Sequence, residues 1–237
     1  MRKAAFSCLV LALAAVAFPA AAHRPPVIVE LYTAQGCEAC NEANAQIDDM
    51  AEREGVLPLT FSVDYWDYLG WTDTLARPEF TDRQKAYAKR LGPREVYTPQ
   101  VVIDGRKQVV GGKEEDVEDA VRDALNSPRN PPDMLFQLNG KIAVGSGPVP
   151  RGGAEVWLVR YDPERVETEV KKGDNRGETI VARNAVRQLK RLGRWRGRPT
   201  AFRLPAAEEE GLDTLVIVQQ THGGRIVAAL KKPKPKP

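Results

Sequence analysis

The chain has 237 residues, with 35 basic and 32 acidic side chains and a formal net charge of +3. A balance this close to neutral gives no electrostatic reason to expect a polyanion as partner. Three cysteines are too few for a fold held together by disulfides, and the length suits two small domains or one domain with a large appendage.

Residues 1–22 have the pattern of a secretory signal peptide. Two basic residues precede an apolar run from Leu9 to Phe18, and Ala20–Ala22 supply the small residues that signal peptidase requires. The run is too short to span a bilayer comfortably and no second one follows, so the chain is predicted not to span a membrane. We expect cleavage near Ala22 and a periplasmic or secreted mature protein.

Strands and helices alternate at the start of the mature chain. A strand covered on both faces is predicted for PPVIVELYT, and the spacing of an amphipathic helix ending at Gly55 follows in CEACNEANAQIDDMAERE. A second strand is predicted for PLTFSVDYW. A second helix is predicted for RPEFTDRQKAYAKRLG, which has proline near its start and glycine at its end.

A hairpin and a third helix complete this half. The strongest hairpin signal is the Asp104–Gly105 pair in TPQVVIDGRKQVVGG, and KEEDVEDAVRDALN predicts a helix with acidic residues in its first turn. The order βαβα–ββα predicts parallel pairing with an antiparallel hairpin added. We therefore expect an α/β domain over residues 23–126.

The composition changes after a proline-rich linker at residues 127–133. Residues 134–230 contain short apolar runs between Gly, Asn, Asp and Pro turns, which predicts a small antiparallel β-domain of sandwich type. Residues 231–237, KKPKPKP, cannot build a core and are predicted to be a solvated tail.

Signal cleavage would leave two cysteines, Cys37 and Cys40, where the first strand gives way to a helix. As a structural disulfide the pair would be weak, because closing a loop this short stabilises the fold by only about 2 kcal/mol. As a zinc site it lacks ligands, since only His23 and His222 accompany it. Redox exchange fits better: the helix start favours a thiolate at Cys37, and Cys40 follows one turn later.

Four segments carry a resemblance to a known family. They are VELYTAQGCEAC, VDYWDYLGW, YTPQVVIDGR and KGDNRGETIVARNAVRQL. Together with the element order of the first half, they resemble the thioredoxin fold and, more narrowly, a family of bacterial secreted thioredoxin-like proteins catalogued as a domain of unknown function. The resemblance implies a thioredoxin-like first domain, and a reaction only by analogy.

The resemblance also implies residue roles. Cys37 would be the attacking thiol and Cys40 the resolving one. Pro99 would be a cis-proline facing them, and Tyr97 and Thr98 would help to hold an extended substrate strand. Between the thiols lies Glu38, whose carboxylate would oppose thiolate formation at its neighbour.

Three further residues are candidates with open alternatives. Glu30 interrupts an apolar strand and resembles the buried carboxylate that takes a proton from the resolving thiol; the alternative is a salt-bridged or edge-exposed glutamate. Trp66 and Trp71, in DYWDYLGWTD, would be platforms in a substrate groove; the alternative is packing between a helix and the sheet.

Residues 183–203 carry eight basic residues and no acidic one. No nucleic-acid recognition module accompanies them, so a solvated β-face is the default interpretation, with anionic envelope polymers or an acidic protein as the alternative.

The sequence thus predicts an exported thiol–disulfide oxidoreductase that acts on cysteines of secreted or periplasmic proteins. It would use no cofactor and no metal, and a redox partner would restore its starting state. Two alternatives remain: a non-enzymatic envelope binding module with an inert disulfide, and a copper-handling protein that uses the two thiols and perhaps the amine and imidazole of His23 as a new N-terminus.

Overall fold

The computed structural model describes residues 24–92 and 95–234, so the predicted signal peptide and His23 lie outside the described residues. The strands in those ranges are β1 Val27–Thr33, β2 Val56–Ser62, β3 Gln100–Ile103, β4 Lys107–Val110, β5 Met134–Gln137, β6 Lys141–Val144, β7 Ala154–Glu169, β8 Thr179–Trp195, β9 Thr200–Arg203, β10 Asp213–Gln220 and β11 Ile226–Lys231. The helices are α1 Asn41–Met50, α2 Pro78–Leu91 and α3 Glu114–Asn126, with short 3-10 helices at Glu38–Cys40 and Asp67–Leu69.

The fold is mixed α/β, with one large sheet and one small one. The large sheet has eight strands in the order β11-β10-β7-β8-β2-β1-β3-β4, and the small sheet has the order β5-β6-β9. Strand β2 is parallel to both of its neighbours, β1 and β8, and every other pairing in the large sheet is antiparallel.

Both faces of β1 are covered, which explains why its sequence is mostly apolar. Because successive side chains point to opposite faces, Val27, Val29 and Leu31 pack in a core with residues of α1 and α3. Ile28 and Tyr32 face the other way, into a core shared with α2. The strand is therefore central, and its carboxyl end leads directly into the cysteine segment.

The local signals at the ends of α2 and at the hairpin are confirmed, whereas the first helix ends at Met50 and not, as predicted, at Gly55. Pro78 occupies the first turn of α2, and Gly92 ends the helix in the left-handed conformation with φ of +98°. Asp104 and Gly105 both have positive φ at the β3–β4 turn, where Arg106 N donates to the Ile103 carbonyl (2.9 Å), as the central residues of a type I′ turn require.

The C-terminal half differs from the separate β-domain that the sequence predicts for residues 134–230. Strands β7, β8, β10 and β11 extend the large sheet, and β8 joins it beside β2 through the pairing of Thr60 with Ala185. Beside this pairing, Thr60 Oγ1 donates to the Arg183 carbonyl (2.7 Å), and Asn184 Nδ2 donates to the Pro58 carbonyl (2.8 Å). The segment 127–133 leads into β5 of the small sheet, and the chain returns to the large sheet at β7.

The small sheet covers one face of this extension. Ile142 and Phe202 from the small sheet pack in a core with Val156, Val216 and Ala228 from the large one. The sheet-on-sheet packing expected of a sandwich is present here, but its larger layer is the continuation of the N-terminal sheet.

The basic segment lies mainly along β8 and β9, where several of its arginines have acidic partners. Arg183 pairs with Glu52, Arg187 with Glu209, and Arg191 with Glu155. These pairs reduce the net positive charge of that surface.

Candidate functional site

The two cysteines lie in the turn between β1 and α1. The amide of Cys37 donates to the Ala34 carbonyl (3.1 Å), and the amide of Cys40 donates to the Cys37 carbonyl (3.0 Å). Cys37 is the N-cap of the 3-10 helix that leads into α1. The two sulfurs form a disulfide, and the residues are only 1% and 0% exposed. The predicted position of Cys37 at a helix start is confirmed, and its burial is a new fact that any function must accommodate.

Thr98 and Pro99 face this turn. The Thr98–Pro99 peptide is cis, as the resemblance implied. Thr98 Oγ1 lies 3.4 Å from Cys37 Sγ and accepts a hydrogen bond from Trp66 Nε1 (2.8 Å), so it is left to donate to the sulfur. Gly111 lies against the proline, where an added Cβ would come within 2.8 Å of Pro99 Cβ. The structure therefore brings together Cys37, Thr98, Pro99 and Trp66.

Gln35 organises the other side of the turn. Its amide donates to Asp73 Oδ2 (2.7 Å), and its side-chain oxygen accepts from Trp71 Nε1 (2.9 Å). Burial raises the pKa of Asp73, against the lowering effect of the Gln35 and Leu75 amides. Trp71 thus holds the loop before Cys37 in place, and its role as a platform in a substrate groove stays a prediction.

Asn175 reaches the same turn from the other half of the chain. Its Nδ2 donates to the Gln35 carbonyl (2.8 Å), and its Oδ1 accepts from Asn41 Nδ2 (3.3 Å). Asn175 is 1% exposed. One carboxamide therefore bridges the residues on either side of the cysteine pair.

Tyr97 lies beside the site but is tied to β4 and α2. Its hydroxyl is hydrogen bonded to Gln108 Oε1, and its carbonyl accepts from Gln84 Nε2 (2.8 Å). Tyr68, in the aromatic segment, is 80% exposed. No contact of either side chain with the disulfide is seen among the described residues, and a role for Tyr97 in substrate binding stays a prediction.

Glu30 is buried and ion-paired. Its carboxylate accepts from Arg83 Nε (2.7 Å) and Nη2 (2.9 Å), from Tyr32 Oη (2.8 Å) and from Tyr87 Oη (2.7 Å). Burial, followed by the charge of Glu30, raises the pKa of Tyr32 well above its usual value. Burial also dominates the raised pKa of Tyr87. Both hydroxyls therefore remain donors to the carboxylate.

The Glu30 network matches the salt-bridged alternative. Burial alone would lower the pKa of Arg83, but the Glu30 carboxylate and Tyr87 raise it above its usual value. The carboxylate thus has a permanent cationic partner and three different donor residues. A proton acceptor for Cys40 would need a free carboxylate oxygen, so this role is not carried into the proposal below.

The described part of the chain offers neither a metal cluster nor a membrane-spanning helix. Within residues 24–92 and 95–234, no three His, Cys, Asp or Glu side chains are arranged to hold a metal ion. Over the same residues, no helix is both long and apolar enough to cross a membrane. His23, the further copper ligand of the third hypothesis, lies outside the described residues.

Gln35, Asp73 and Asn175 were not predicted as site residues. The bonds by which they shape the turn join residues more than 30 positions apart, Gln35 with Asp73 and Asn175 with Gln35. The tip sequence around Asn175 is rich in glycine and charge, which predicts an exposed turn. Nothing in that local pattern marks its asparagine as buried.

Comparison with known proteins places this arrangement in a family. A family model described as a protein of unknown function (DUF1223) matches residues 28–219. The chain belongs to the DUF1223 family. The match includes the cysteine turn, the Thr98–Pro99 corner and Asn175, so all three lie within the family region.

Two solved structures are similar to this DUF1223 protein. The crystal structure of protein AGR_C_4864 from Agrobacterium tumefaciens has 29% sequence identity and a TM-score of 0.70, and the match covers 89% of this chain and 96% of that one. HBP35 of Porphyromonas gingivalis has 12% identity and a TM-score of 0.62, covering 88% of this chain and 75% of that one, a likeness of fold alone. No curated protein matches significantly.

Proposed function

We propose that this DUF1223 protein is an exported thiol–disulfide oxidoreductase with a thioredoxin-like site, acting on cysteines of other secreted or periplasmic proteins. The observation that carries the proposal is the 3.4 Å contact between Thr98 Oγ1 and Cys37 Sγ at the start of a helix. A hydroxyl donor and a helix N-terminus both favour negative charge on sulfur. Export is supported by the signal-peptide pattern of residues 1–22.

The exchange would proceed in two steps. A substrate thiolate attacks Cys37 Sγ, the bond between the two sulfurs of the protein breaks, and Cys40 leaves as a thiolate that takes a proton. A second substrate thiolate then attacks its partner in the mixed disulfide and releases Cys37. The substrate pair is oxidised by two electrons and the protein pair is reduced; the same steps reversed reduce a substrate disulfide.

The surrounding residues would hold the substrate. Thr98 lies against the attacking sulfur with Pro99 next to it in the chain, and Trp66 fixes the Thr98 hydroxyl by donating to it. Trp71 acts one step further away, through Gln35. The proposed substrate surface therefore centres on Thr98, Pro99 and Trp66, with Tyr97 at its margin.

A second candidate function is supported by the burial of the cysteines. Known exchangers need a thiolate to reach the sulfur, and Cys37 is 1% exposed here. This observation favours a binding module in which the disulfide is structural and inert. The two candidates differ in whether the disulfide ever opens during function.

Substitution of the resolving thiol tests the proposed function. In a Cys40→Ser variant, Cys37 can still form a mixed disulfide but nothing within the pair can resolve it. Expressed with its signal peptide, this variant should accumulate covalent adducts with other proteins, seen as reducible higher-mass bands and identified by mass spectrometry. The matched Cys37→Ser variant should give far fewer. Equal adduct levels in the two variants would contradict the assigned roles.

A further inference from the structure

The hairpin formed by β7 and β8 ends close to the cysteine turn. Its tip, residues 170–178, closes on itself through Val170 N to the Glu178 carbonyl (2.9 Å) and Gly177 N to the Val170 carbonyl (2.8 Å). Val170 and Asn175 are buried (0% and 1% exposed), and the remaining tip residues are exposed or half-buried. A tip that buries two side chains while its charged residues face solvent is docked on the protein surface.

Asn175 docks this hairpin tip across the disulfide turn. It pairs with the carbonyl of Gln35, two residues before Cys37, and with the side chain of Asn41, which follows Cys40. At the base of the tip, Thr168 Oγ1 accepts from Gln35 Nε2 (3.2 Å). The tip therefore spans the turn from one side to the other, and both cysteines of that turn are buried.

The hairpin has a joint between its tip and the large sheet. The pairing of β7 with β8 is interrupted between Asp162 and Arg165, and Asn184 opposite has φ of +49°. Asn184 is itself fixed to Pro58 of β2. The hairpin is thus anchored at the joint, and the regular ladder resumes beyond it.

Beyond the joint, the ion pairs to α1 and to the turn after it are partly exposed. Arg165 pairs with Asp48 (2.9 Å), and Arg183 pairs with Glu52 (2.6 Å); Arg165 and Glu52 are 59% and 83% exposed. Such pairs contribute little to stability. The outer hairpin is therefore held by Asn175, the Thr168–Gln35 bond, the buried Val170 and a small apolar contact, and elements with few buried contacts open at low free energy.

We propose that the hairpin tip is a lid, latched by Asn175, which must swing away before a thiol reaches the Cys37–Cys40 disulfide. This inference rests on the proposed exchange function and adds control of access to the same site. Asn175 acts as a positioning residue, since it holds the cover through Gln35 and Asn41 rather than through either sulfur. Exchange then requires opening first and attack second, so its rate is set by how often the latch releases.

The lid can be tested with a small reductant on the oxidised full chain. A 2-mercaptoethanol thiolate attacks one sulfur, the other leaves as a thiolate and is protonated, and a second 2-mercaptoethanol thiolate frees the mixed disulfide. The products are the two protein thiols and the disulfide of 2-mercaptoethanol. The reaction is quenched with iodoacetamide, and mass spectrometry of the alkylated chain gives the rate of disulfide reduction.

Asn175→Ala removes both latch bonds and should speed reduction roughly tenfold. The adjacent, exposed Asp174→Ala is the matched control and should stay within about twofold of the wild-type rate. Asn41→Ala, at an exposed position, removes only one bond and should speed reduction by a smaller factor of about three. It provides the second test if circular dichroism shows that Asn175→Ala is misfolded.

Equal rates for the wild type, Asn175→Ala and Asn41→Ala would overturn the lid. An acceleration by Asp174→Ala as large as that by Asn175→Ala would overturn it as well. These rates do not require a physiological partner, so they are independent of the Cys40→Ser experiment. If Asn175→Ala is reduced faster than the wild type but Cys40→Ser forms no adducts, the lid is supported and the exchange function is rejected.

Discussion

A chain that ends after residue 126 is expected not to fold, although the sequence pattern presents residues 23–126 as a complete α/β domain. In the structure, β2 is flanked on one side by β1 and on the other by β8. Removing residues beyond 126 would turn β2 into an edge strand and uncover its apolar residues, an arrangement that promotes aggregation.

The shared core explains the size of this effect. Leu57, Leu59 and Phe61 of β2 lie in one core cluster with side chains from the C-terminal half. Those side chains include Val159, Tyr161, Val186, Leu215, Ile217 and Ile226. Burying a side chain of this size contributes about 1.5–3 kcal/mol, and a whole domain is stable by only about 5–15 kcal/mol. Losing these buried side chains therefore removes a stabilising free energy comparable to the total stability of a domain.

Urea denaturation followed by circular dichroism checks the prediction. The full chain should unfold in one cooperative transition, and the chain ending at residue 126 should show none. A chain ending after Lys234 is the control for truncation as such and should unfold like the full one. A cooperative transition in the short chain would show that the N-terminal half is an independent domain.

Replacement of Arg83 by methionine is expected to destabilise the protein by about 3–5 kcal/mol. Arg83 and Glu30 form a buried ion pair, with side chains 6% and 1% exposed. Without Arg83, the Glu30 carboxylate would keep two tyrosine donors but lose its cation in a region shielded from water. An unpaired buried charge is far more costly than a lost surface pair.

A second substitution separates this cause from simple loss of packing. Glu30→Gln keeps an acceptor for the tyrosines but removes the charge, so the double variant Glu30→Gln with Arg83→Met should be less destabilised than Arg83→Met alone. Arg90→Met, at an exposed position of the same helix, is the control and should change stability by no more than about 0.5 kcal/mol.

Free energies of unfolding from urea titrations give all four values. A cost below about 1 kcal/mol for Arg83→Met, or a double variant that is simply additive, would show that the buried charge pair does not stabilise the core. The same network includes Gln219 of β10, whose Nε2 donates to Tyr87 Oη (2.9 Å), so the result also bears on how the two halves are joined.

The elements of the fold were predictable because their signals are local. The apolar run of β1, the proline and glycine that bound α2, and the Asp104–Gly105 turn each depend on a few neighbouring residues. The second half was predicted only as short strands between turns, and most of its strands are short. Strands β7 (Ala154–Glu169) and β8 (Thr179–Trp195) are longer than that pattern indicates, and their pairing is interrupted between Asp162 and Arg165.

The pairing of β8 with β2 was not predictable from those signals. Alternation of polar and apolar residues shows that a strand has a covered face, but it does not identify the strand beside it. The proline-rich segment 127–133 then suggested a domain boundary, although the chain crosses it and returns to the same sheet. The contact between β8 and β2 is seen only in long-range interactions, such as the hydrogen bonds of Thr60 and Asn184.

The site was predictable where its residues form a motif. Cys37 and Cys40 stand three positions apart after a strand, and the Thr98–Pro99 corner was implied by resemblance, so both were located correctly. The cation that pairs with Glu30 was not predicted, because Arg83 lies 53 positions away on a helix whose other charges face solvent. Burial of the disulfide was missed for the same reason, since both cysteines pack in a core cluster whose other members come from distant parts of the chain.

The redox potential of the Cys37–Cys40 couple tests the central claim most directly. It can be measured by equilibrating the protein in dithiol–disulfide buffers of graded potential and counting alkylated cysteines. A working exchanger should titrate within the range of known exchangers, about −120 to −270 mV. A value well below about −300 mV would identify a structural disulfide and would contradict the proposal that this DUF1223 protein exchanges electrons with other proteins.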